Sequence, residues 1–502
     1  MRGRVYLVGA GPGDPTLLTL KGKVALERAD CVIYDFLANE ELLAYTRPDC
    51  HKIFAGKRVG RHSVTQREIN RTLIERARRG ETVVRLKGGD PFIFGRGGEE
   101  AEALAAADVR FEIIPGVSSG HAAPAYAGIP LTHRNYASSV SFLSGHEHSG
   151  LAAEVADVTR ADTAVFFMGA HNLGAIASTL IARGRAPSTP AAVIRWGTTP
   201  DQEVVTGTLE NIARRAQKLQ PPTVIVVGNV VNLRERLNWF ERLPLFGKRI
   251  VVTRAREQSA LLREALAARG AQPVALPAIE IHDPESWAQL DDAVRHLQDF
   301  DFLLVTSVNG VRKFLARLRE AGRDVRDLKG IEIGAIGPAT AAEFAAAGIR
   351  VDFVPREYRA EGLIEALETH DLRGKKFLIP RARVARDLVP RALAERGARV
   401  EVVEAYNTAA PEYKPEELDR LLTPTPAVLT FTSSSTARNF SKLPIPGKTR
   451  ARLSDAIIAS IGPVTSATLR ELGMNVDIEA GESTMAGFIS ALEAHFAPSG
   501  HH

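Results

Sequence analysis

The stretch "VYLVGAGPGDPTLLTLKGK", Val5–Lys23, begins as an apolar strand, breaks into glycines and re-forms as a helix. A dinucleotide-binding loop with this outline needs G-x-G-x-x-G opening the helix. Gly9 and Gly11 supply the first two positions, but the last falls on Asp14. Pro12 lies between them and has no N–H to offer a pyrophosphate. An acid at a helix start also opposes an anion there, because that end of the helix is positive. The loop therefore lets a ligand approach the backbone closely, and suits a cationic or neutral group better than a phosphate. A tight turn that binds nothing fits it equally well.

Outward from this loop, short β runs alternate with helical patterns, which is the signature of α/β domains. The runs are "RVYLVGA", "CVIYD", "TVVRLKG", "FEIIPG", "SVSFLSG", "TAVFFMG", "AAVIRWG" and "TVIVVGNVV", all before residue 235. The charged stretch "NLRERLNWFERLPLFGKR" follows, with Pro244 and Gly247 near its end, and reads as a helical linker. A fresh strand, "RIVVTRAR", opens a second α/β region. That region repeats itself. "FLLVTSVNGVRKFL" is followed by "EIGAIGPATAAEFAAAGIRVDFVP", and "VLTFTSSSTARNF" by "IIASIGPVTSATLRELGMNVDIEA". Each copy reads strand, Thr-Ser turn, helix, strand, Ile-Gly-Pro turn, helix. Duplicated halves of this kind face each other across a cleft, with ligands at the carboxyl ends of the strands.

Composition bounds the rest. The chain has 502 residues, and single cores stop growing near roughly 250–300, so several domains are expected. Hydrophobic residues make up 45% and charged residues 25%, as in ordinary globular proteins. The net charge of +5 is a mild excess and not the concentrated basic stripe of a nucleic-acid binder. No apolar run reaches the length of a membrane span. The opening residues "MRGRVYLVGAG" enter a strand with no signal-like apolar region, so a cytoplasmic location is expected. The two cysteines, Cys31 and Cys50, have no metal-like spacing, and Cys31 in "DCVIYD" reads as a buried small residue. His146 and His148 in "SGHEHSG" lack an evident third ligand, so no metal is expected.

The densest chemistry-bearing stretch is "VVRLKGGDPFIFGRGGEE", Val83–Glu100. A strand ends in Gly88-Gly89-Asp90-Pro91, where glycines permit close approach and positive φ. Asp90 could bind a ribose hydroxyl or a positive centre. A second strand-end loop carries Gly116, Ser118 and Ser119; Met168-Gly169 and Gly197 end two further strands. Any one of these is a weak signal. Together they suggest a single ligand clasped by several loops. The arginines of "RARVAR" (Arg381, Arg383, Arg386) read either as a solvated helix face or as a site for an acidic substrate.

These pieces in order, "VGAGPGDPTLLTLKG", "VIYD", "GKR", "RLKGGDPFIFGRGGEE", "IPGVSS" and "GIPLTHR", resemble the tetrapyrrole methylase superfamily. The likeness is greatest to its S-adenosyl-methionine-dependent uroporphyrinogen-III C-methyltransferases. The resemblance implies a two-lobed α/β domain over residues 1–240 and S-adenosyl-methionine as cofactor. That cofactor is a sulfonium cation without phosphate, which agrees with the Pro12 loop. The resemblance places Pro12, Gly88, Gly89, Asp90, Ile93, Ser118, Ser119, Met168 and Gly197 around the cofactor, although Ser118 and Ser119 stand where relatives often carry Thr-Ala. It makes Asp35 a proton acceptor and Lys57 a proton donor, which is sensible chemistry, because methylating a pyrrole carbon leaves a proton to be lost. It also implies a homodimer through this half.

In the repeat region, "TSVNGV", "IGPATA", "EAYNT", "FTSSST" and "IGPVTS" resemble uroporphyrinogen-III synthases, over residues 247–498. That implies two α/β lobes joined by a two-stranded connection, the chain leaving the first lobe and returning to it. The substrate would be a linear tetrapyrrole polycarboxylate. The resemblance has Thr340, Ser433 and Thr465 lining the cleft and Tyr406 assisting loss of the substrate's hydroxyl. The expectation is then a bifunctional enzyme on the route to sirohaem and cobalamin. Alternatives are a methylase joined to a non-catalytic tetrapyrrole-binding module, and a methylase acting on another substrate.

Overall fold

Near-continuous apolar strands form where both faces of a sheet are covered, and each of the four five-stranded sheets among the described residues contains at least one such strand. The computed structural model describes residues 3–56, 64–145 and 161–497. Its chain divides into two compact units. One comprises Met1–Arg249 with Glu264–Pro273 and Leu492–His502; the other comprises Ile250–Arg263 and Val274–Ala491.

In the first unit, β1 (Arg4–Gly9), β2 (Cys31–Tyr34), β3 (His51–Phe54), β4 (Thr82–Lys87) and β5 (Arg110–Ile114) form a parallel sheet in the order β3-β2-β4-β1-β5. Val5, Leu7 and Val8 of β1 are fully buried, as a central strand covered on both faces requires. A second sheet contains β6 (Val140–Ser144), β7 (Thr163–Phe167), β8 (Pro190–Arg195), β9 (Glu203–Thr208) and β10 (Thr223–Val227), in the order β6-β7-β10-β8-β9. Only its β6–β7 pair is parallel. β3 and β9 are the two strands that the apolar runs do not announce.

The stretch expected as a linker is a packed part of this unit. Phe240 is 6% exposed and Leu245 is fully buried. Arg234 donates to the Ala127 carbonyl (2.6 Å) and pairs with Glu241 (2.6 Å), and the Trp239 indole N–H donates to the Ala125 carbonyl (3.2 Å). Arg234 and Glu241 thus satisfy each other and the backbone, while Glu235, Arg236 and Arg242 are exposed.

The second unit has two lobes. β11 (Arg249–Val252) and β12 (Gln272–Ala275), which straddle the division between the units, begin one. The chain then crosses along β13 (Glu280–His282), builds β14 (Phe302–Val305), β15 (Glu332–Ala335) and β16 (Lys376–Ala382), and runs back along β17 (Arg399–Ala409). It completes the first lobe with β18 (Val428–Phe431), β19 (Ile457–Ser460) and β20 (Ile478–Glu479). The sheets run β12-β11-β18-β19-β20 and β13-β17-β16-β14-β15. β13 and the end of β17 pair antiparallel, Glu280 opposite Ala409, and form the two-stranded connection. The repeat read from the sequence is real in space. β14 and β18 each run into a serine N-cap, and β15 and β19 each run into a Gly-Pro helix start. No helix among the described residues is long and apolar enough to cross a membrane.

Candidate functional site

In the first unit, the loops after β1, β4 and β5 converge backbone to backbone. Gly11 N–H donates to the Gly89 carbonyl (3.2 Å), and Gly89 N–H donates to that of Gly11 (2.7 Å). A Cβ on Gly9 would overlap the Gly116 backbone, and one on Gly116 would overlap the Gly89 carbonyl. Side chains are excluded from this crossing. Gly89 has room for a Cβ but holds φ +68°, a left-handed conformation that glycine adopts without strain.

Beside the crossing is a cavity of about 740 Å³, inside the range of about 300–1,000 Å³ usual for small-molecule sites. Pro12, Gly88, Gly89, Ser119, Met168 and Gly197 line it, with Phe36, Leu37, Asn39, Phe167, His171 and Trp196 among their neighbours. Met168 and Trp196 hold positive φ, +56° and +46°. For bulky residues that is strain, of the kind retained where a site demands a particular backbone course. No lysine or arginine lines the cavity among the described residues. A phosphate would find no counter-charge there, whereas a sulfonium-bearing nucleoside needs none, so the lining fits such a group.

Other residues expected at the cofactor stand behind this lining. Asp90 commits both oxygens to backbone amides, Oδ1 accepting from Phe92 N–H (2.7 Å) and Oδ2 from Gly116 N–H (3.0 Å). It ties the β4 loop to the β5 loop. Ser118 is 8% exposed and caps the helix Ser119–Tyr126 by accepting from Gly120 N–H (3.3 Å). Ile93 is 43% exposed and outside the cavity lining. Asp14, the acid that argued against phosphate, accepts from Thr16 N–H (2.8 Å) and Tyr126 O–H (2.9 Å). Burial beside that carboxylate pushes the Tyr126 phenol's pKa well above its usual value.

Asp35 directly follows β2 and joins a charge network that the sequence reading missed. Arg85 Nη2 donates to Asp35 Oδ1 (2.6 Å), and Arg85 Nε donates to Glu100 Oε1 (3.0 Å). Lys87 Nζ (2.9 Å) and Gln66 Nε2 (3.0 Å) reach the same Glu100 oxygen. Arg85, Lys87 and Glu100 are at most 3% exposed. Burial and the neighbouring Arg85 charge lower the Lys87 pKa. Burial opposes the Arg85 charge too, but Asp35 and Glu100 hold its pKa above the usual value. The signal was present in "TVVRLKG": two cations inside an otherwise apolar buried strand need buried acids. The network orients Asp35 and braces Lys87, the residue before the glycine cradle. Lys57, His146 and His148 lie outside the described residues. Cys31 is fully buried, and burial pushes its thiol up to about 11.

In the second unit the predicted residues gather at helix starts. Tyr406 on β17 is 8% exposed, and its O–H donates to Ser307 Oγ (3.0 Å), which also accepts from Gly310 N–H (3.0 Å). Burial raises the Tyr406 pKa, against the Ser307 hydrogen bond that lowers it. Thr340 and Thr465 are 4% and 5% exposed and occupy the same place in the two repeats, two residues after the proline of each Gly-Pro start. Ser433 caps the helix Ser434–Ser441, accepting from Thr436 N–H (3.3 Å). Its neighbour Ser434 donates to the Val464 carbonyl (3.3 Å), next to Thr465. Thus Ser433 and Thr465 are brought together in one lobe, and Tyr406 shares the other with Thr340. Of the "RARVAR" arginines, Arg381 pairs with Asp387 (2.5 Å) and Arg383 with Glu285, so those two charges are compensated within the chain.

Residues 4–213 match the family Tetrapyrrole (Corrin/Porphyrin) Methylases, and residues 260–490 match Uroporphyrinogen-III synthase HemD. A porphyrin biosynthesis protein HemD from Ruminiclostridium josui is 36% identical over 87% of this chain and 88% of its own length. A uroporphyrinogen-III C-methyltransferase from Bacillus subtilis is 44% identical over 65% of this chain and 68% of its own. A crystal structure of uroporphyrin-III C-methyl transferase from Thermus thermophilus, complexed with S-adenyl homocysteine, is 41% identical. It covers 46% of this chain and 100% of that one, with a TM-score of 0.41.

Proposed function

The chain belongs to the tetrapyrrole methylases over its first part and to the uroporphyrinogen-III synthases over its second, and from that premise we propose a bifunctional enzyme. The second unit closes hydroxymethylbilane to uroporphyrinogen-III with inversion of ring D. The first methylates that product twice to give precorrin-2. The observation that carries the methylase reading is the cavity beside the glycine crossing, mostly apolar and without a lysine or arginine among the described residues. Bound there, S-adenosyl-methionine supplies an electrophilic methyl group. Pro12, Gly88, Gly89, Ser119, Met168 and Gly197 enclose it, while Asp90 and Ser118 hold the enclosing loops in place. Asp35, held on one oxygen by Arg85, accepts the proton the methylated macrocycle loses, and Lys57 is the proton donor.

In the second unit, helix N-termini after Ser433 and after the two Gly-Pro starts present backbone N–H groups to substrate carboxylates, with Thr340 and Thr465 beside them. Tyr406 assists departure of the substrate's hydroxyl as a hydrogen-bond donor. Its raised pKa disfavours full proton transfer. The same reading gives domains at 1–240 and 247–498, a homodimer through the first, and a cytoplasmic location.

The test is made on the full chain. With hydroxymethylbilane alone, type-III uroporphyrinogen should form in excess of the spontaneous type-I isomer. With S-adenosyl-methionine added, the product should gain two methyl groups. Type-I isomer alone would reduce the second unit to a binding module, and unmethylated type-III product would move the first unit to another substrate.

A further inference from the structure

The sequence contains a repeat beyond the one described. "IVVTRAREQSALLREALAARGA", Ile250–Ala271, aligns without a gap on "FLIPRARVARDLVPRALAERGA", Phe377–Ala398. The alignment sets Arg254 on Arg381, Arg256 on Arg383 and Gly270 on Gly397. It also sets Ala260 on Asp387, the acid that neutralises Arg381. The first copy thus keeps the arginine and lacks its counter-ion.

Among the described residues no carboxylate pairs with Arg254. Its Nε donates to Gln258 Oε1 (3.2 Å), and its Nη1 lies 3.4 Å from the Met485 sulfur. Both partners are neutral. The side chain is half-buried, and burial lowers its pKa. A guanidinium withdrawn from water without an anion is unfavourable unless something else supplies one. Its location points to what does. Gln258 Nε2 donates across the lobes to Asn309 Oδ1 (2.9 Å). Asn309 is two residues beyond Ser307, the hydroxyl that accepts from Tyr406.

We infer that Arg254 anchors a carboxylate of a tetrapyrrole polycarboxylate where the two lobes of this unit meet, beside the Tyr406–Ser307 pair. The inference rests on the synthase reading of this unit. Arg254 is a binding and positioning residue. A fork of N–H donors is well matched to a carboxylate, and such a charge-assisted bond is stronger than a neutral one.

Three variants of the full chain test it. Arg254→Gln should raise KM for hydroxymethylbilane about tenfold with kcat little changed, as the loss of one charge-assisted hydrogen bond predicts. Arg254→Lys should recover part of the loss. Ala260→Asp keeps the arginine but restores the acid found in the other copy, and should raise KM in the same direction. A second readout is independent of turnover. Calorimetric titration with uroporphyrin III should show one class of sites weakened in Arg254→Gln. If the unaltered chain makes no type-III product yet this site class still depends on Arg254, the synthase reading fails and the inference stands. If turnover is normal and neither KM nor affinity moves in Arg254→Gln and Ala260→Asp, the inference is overturned.

Discussion

At the strand ends of the first unit, Gly9, Gly89 and Gly116 meet backbone to backbone, and any Cβ on Gly9 or Gly116 would overlap a neighbouring chain. At the strand ends of the second, Ser307 and Ser433 reach helix amides with side chains, each capping a helix. The first arrangement favours one residue type, because the space for a side chain does not exist at Gly9 and Gly116 and the backbone of Gly89 is left-handed. The second accepts any short hydroxyl or amide, since Ser, Thr, Asp and Asn all cap helices comparably well. Sites made of backbone therefore leave a sharp trace in sequence, and sites made of caps leave a blurred one. In the second unit only repetition makes the caps stand out.

The contrast is broken most severely at Gly88. A Cβ there would lie 2.6 Å from Leu37 Cβ, and Leu37 lines the cavity. Gly88→Val should abolish S-adenosyl-methionine binding in calorimetry while type-III uroporphyrinogen formation continues. Normal cofactor binding would make the glycine loop a structural turn only. Asp35→Asn comes next. If Asp35 takes the proton, turnover at saturating cofactor should fall about 10²–10⁴-fold, the range for a general base. Cofactor affinity should hardly change. Undiminished turnover would remove Asp35 from the mechanism.

Gly88 is legible because its chemistry is local, whereas Asp35 is singled out by the family resemblance. What escaped the sequence was non-local. β3, at a sheet edge, has no fully buried residue, and β9, also at an edge, is buried only in part, so neither carries the continuous apolar run that marks β1, β7 or β10. The stretch around Arg234 and Glu241 reads as a linker because it is densely charged, and only the fold reveals that these two charges pair with each other. Asp90 reads as a ligand residue because an acid after two glycines is well placed for one, yet two loop amides claim its oxygens. Glu100, thirteen residues beyond Lys87, shows no link to it until the helix Gly97–Ala106 packs against β4.

That buried network supports a third expectation. Glu100→Ala leaves Arg85 and Lys87 with Asp35 as the only acid among their partners in the network. Removing one partner from a buried ion pair costs about 3–5 kcal/mol. Denaturant unfolding should show a loss of that order confined to the transition of the methylase unit. A loss under about 1 kcal/mol would mean the network is wet enough to be screened like a surface pair.

The smallest effect is expected at Tyr406, and it bears most directly on whether the second unit works by holding its substrate in shape. Tyr406 gives its hydroxyl proton to Ser307, which is itself bound by the Gly310 amide, so the phenol sits in a fixed chain of donors. Tyr406→Phe removes one hydroxyl from a contact set spread over several helix starts and leaves the aromatic ring packed where it is. Losing one neutral hydrogen bond costs about 0.5–1.5 kcal/mol, which is at most about tenfold in rate. Ring closure should slow by that factor with KM for hydroxymethylbilane nearly constant. The burial that raises the phenol's pKa leaves it protonated throughout the neutral range, so the rate ratio of the two enzymes should be flat from about pH 6 to 9. A ratio that changes across that range would mean Tyr406 transfers its proton fully, and a loss beyond about a thousandfold would make the second unit depend on one acid rather than on shape.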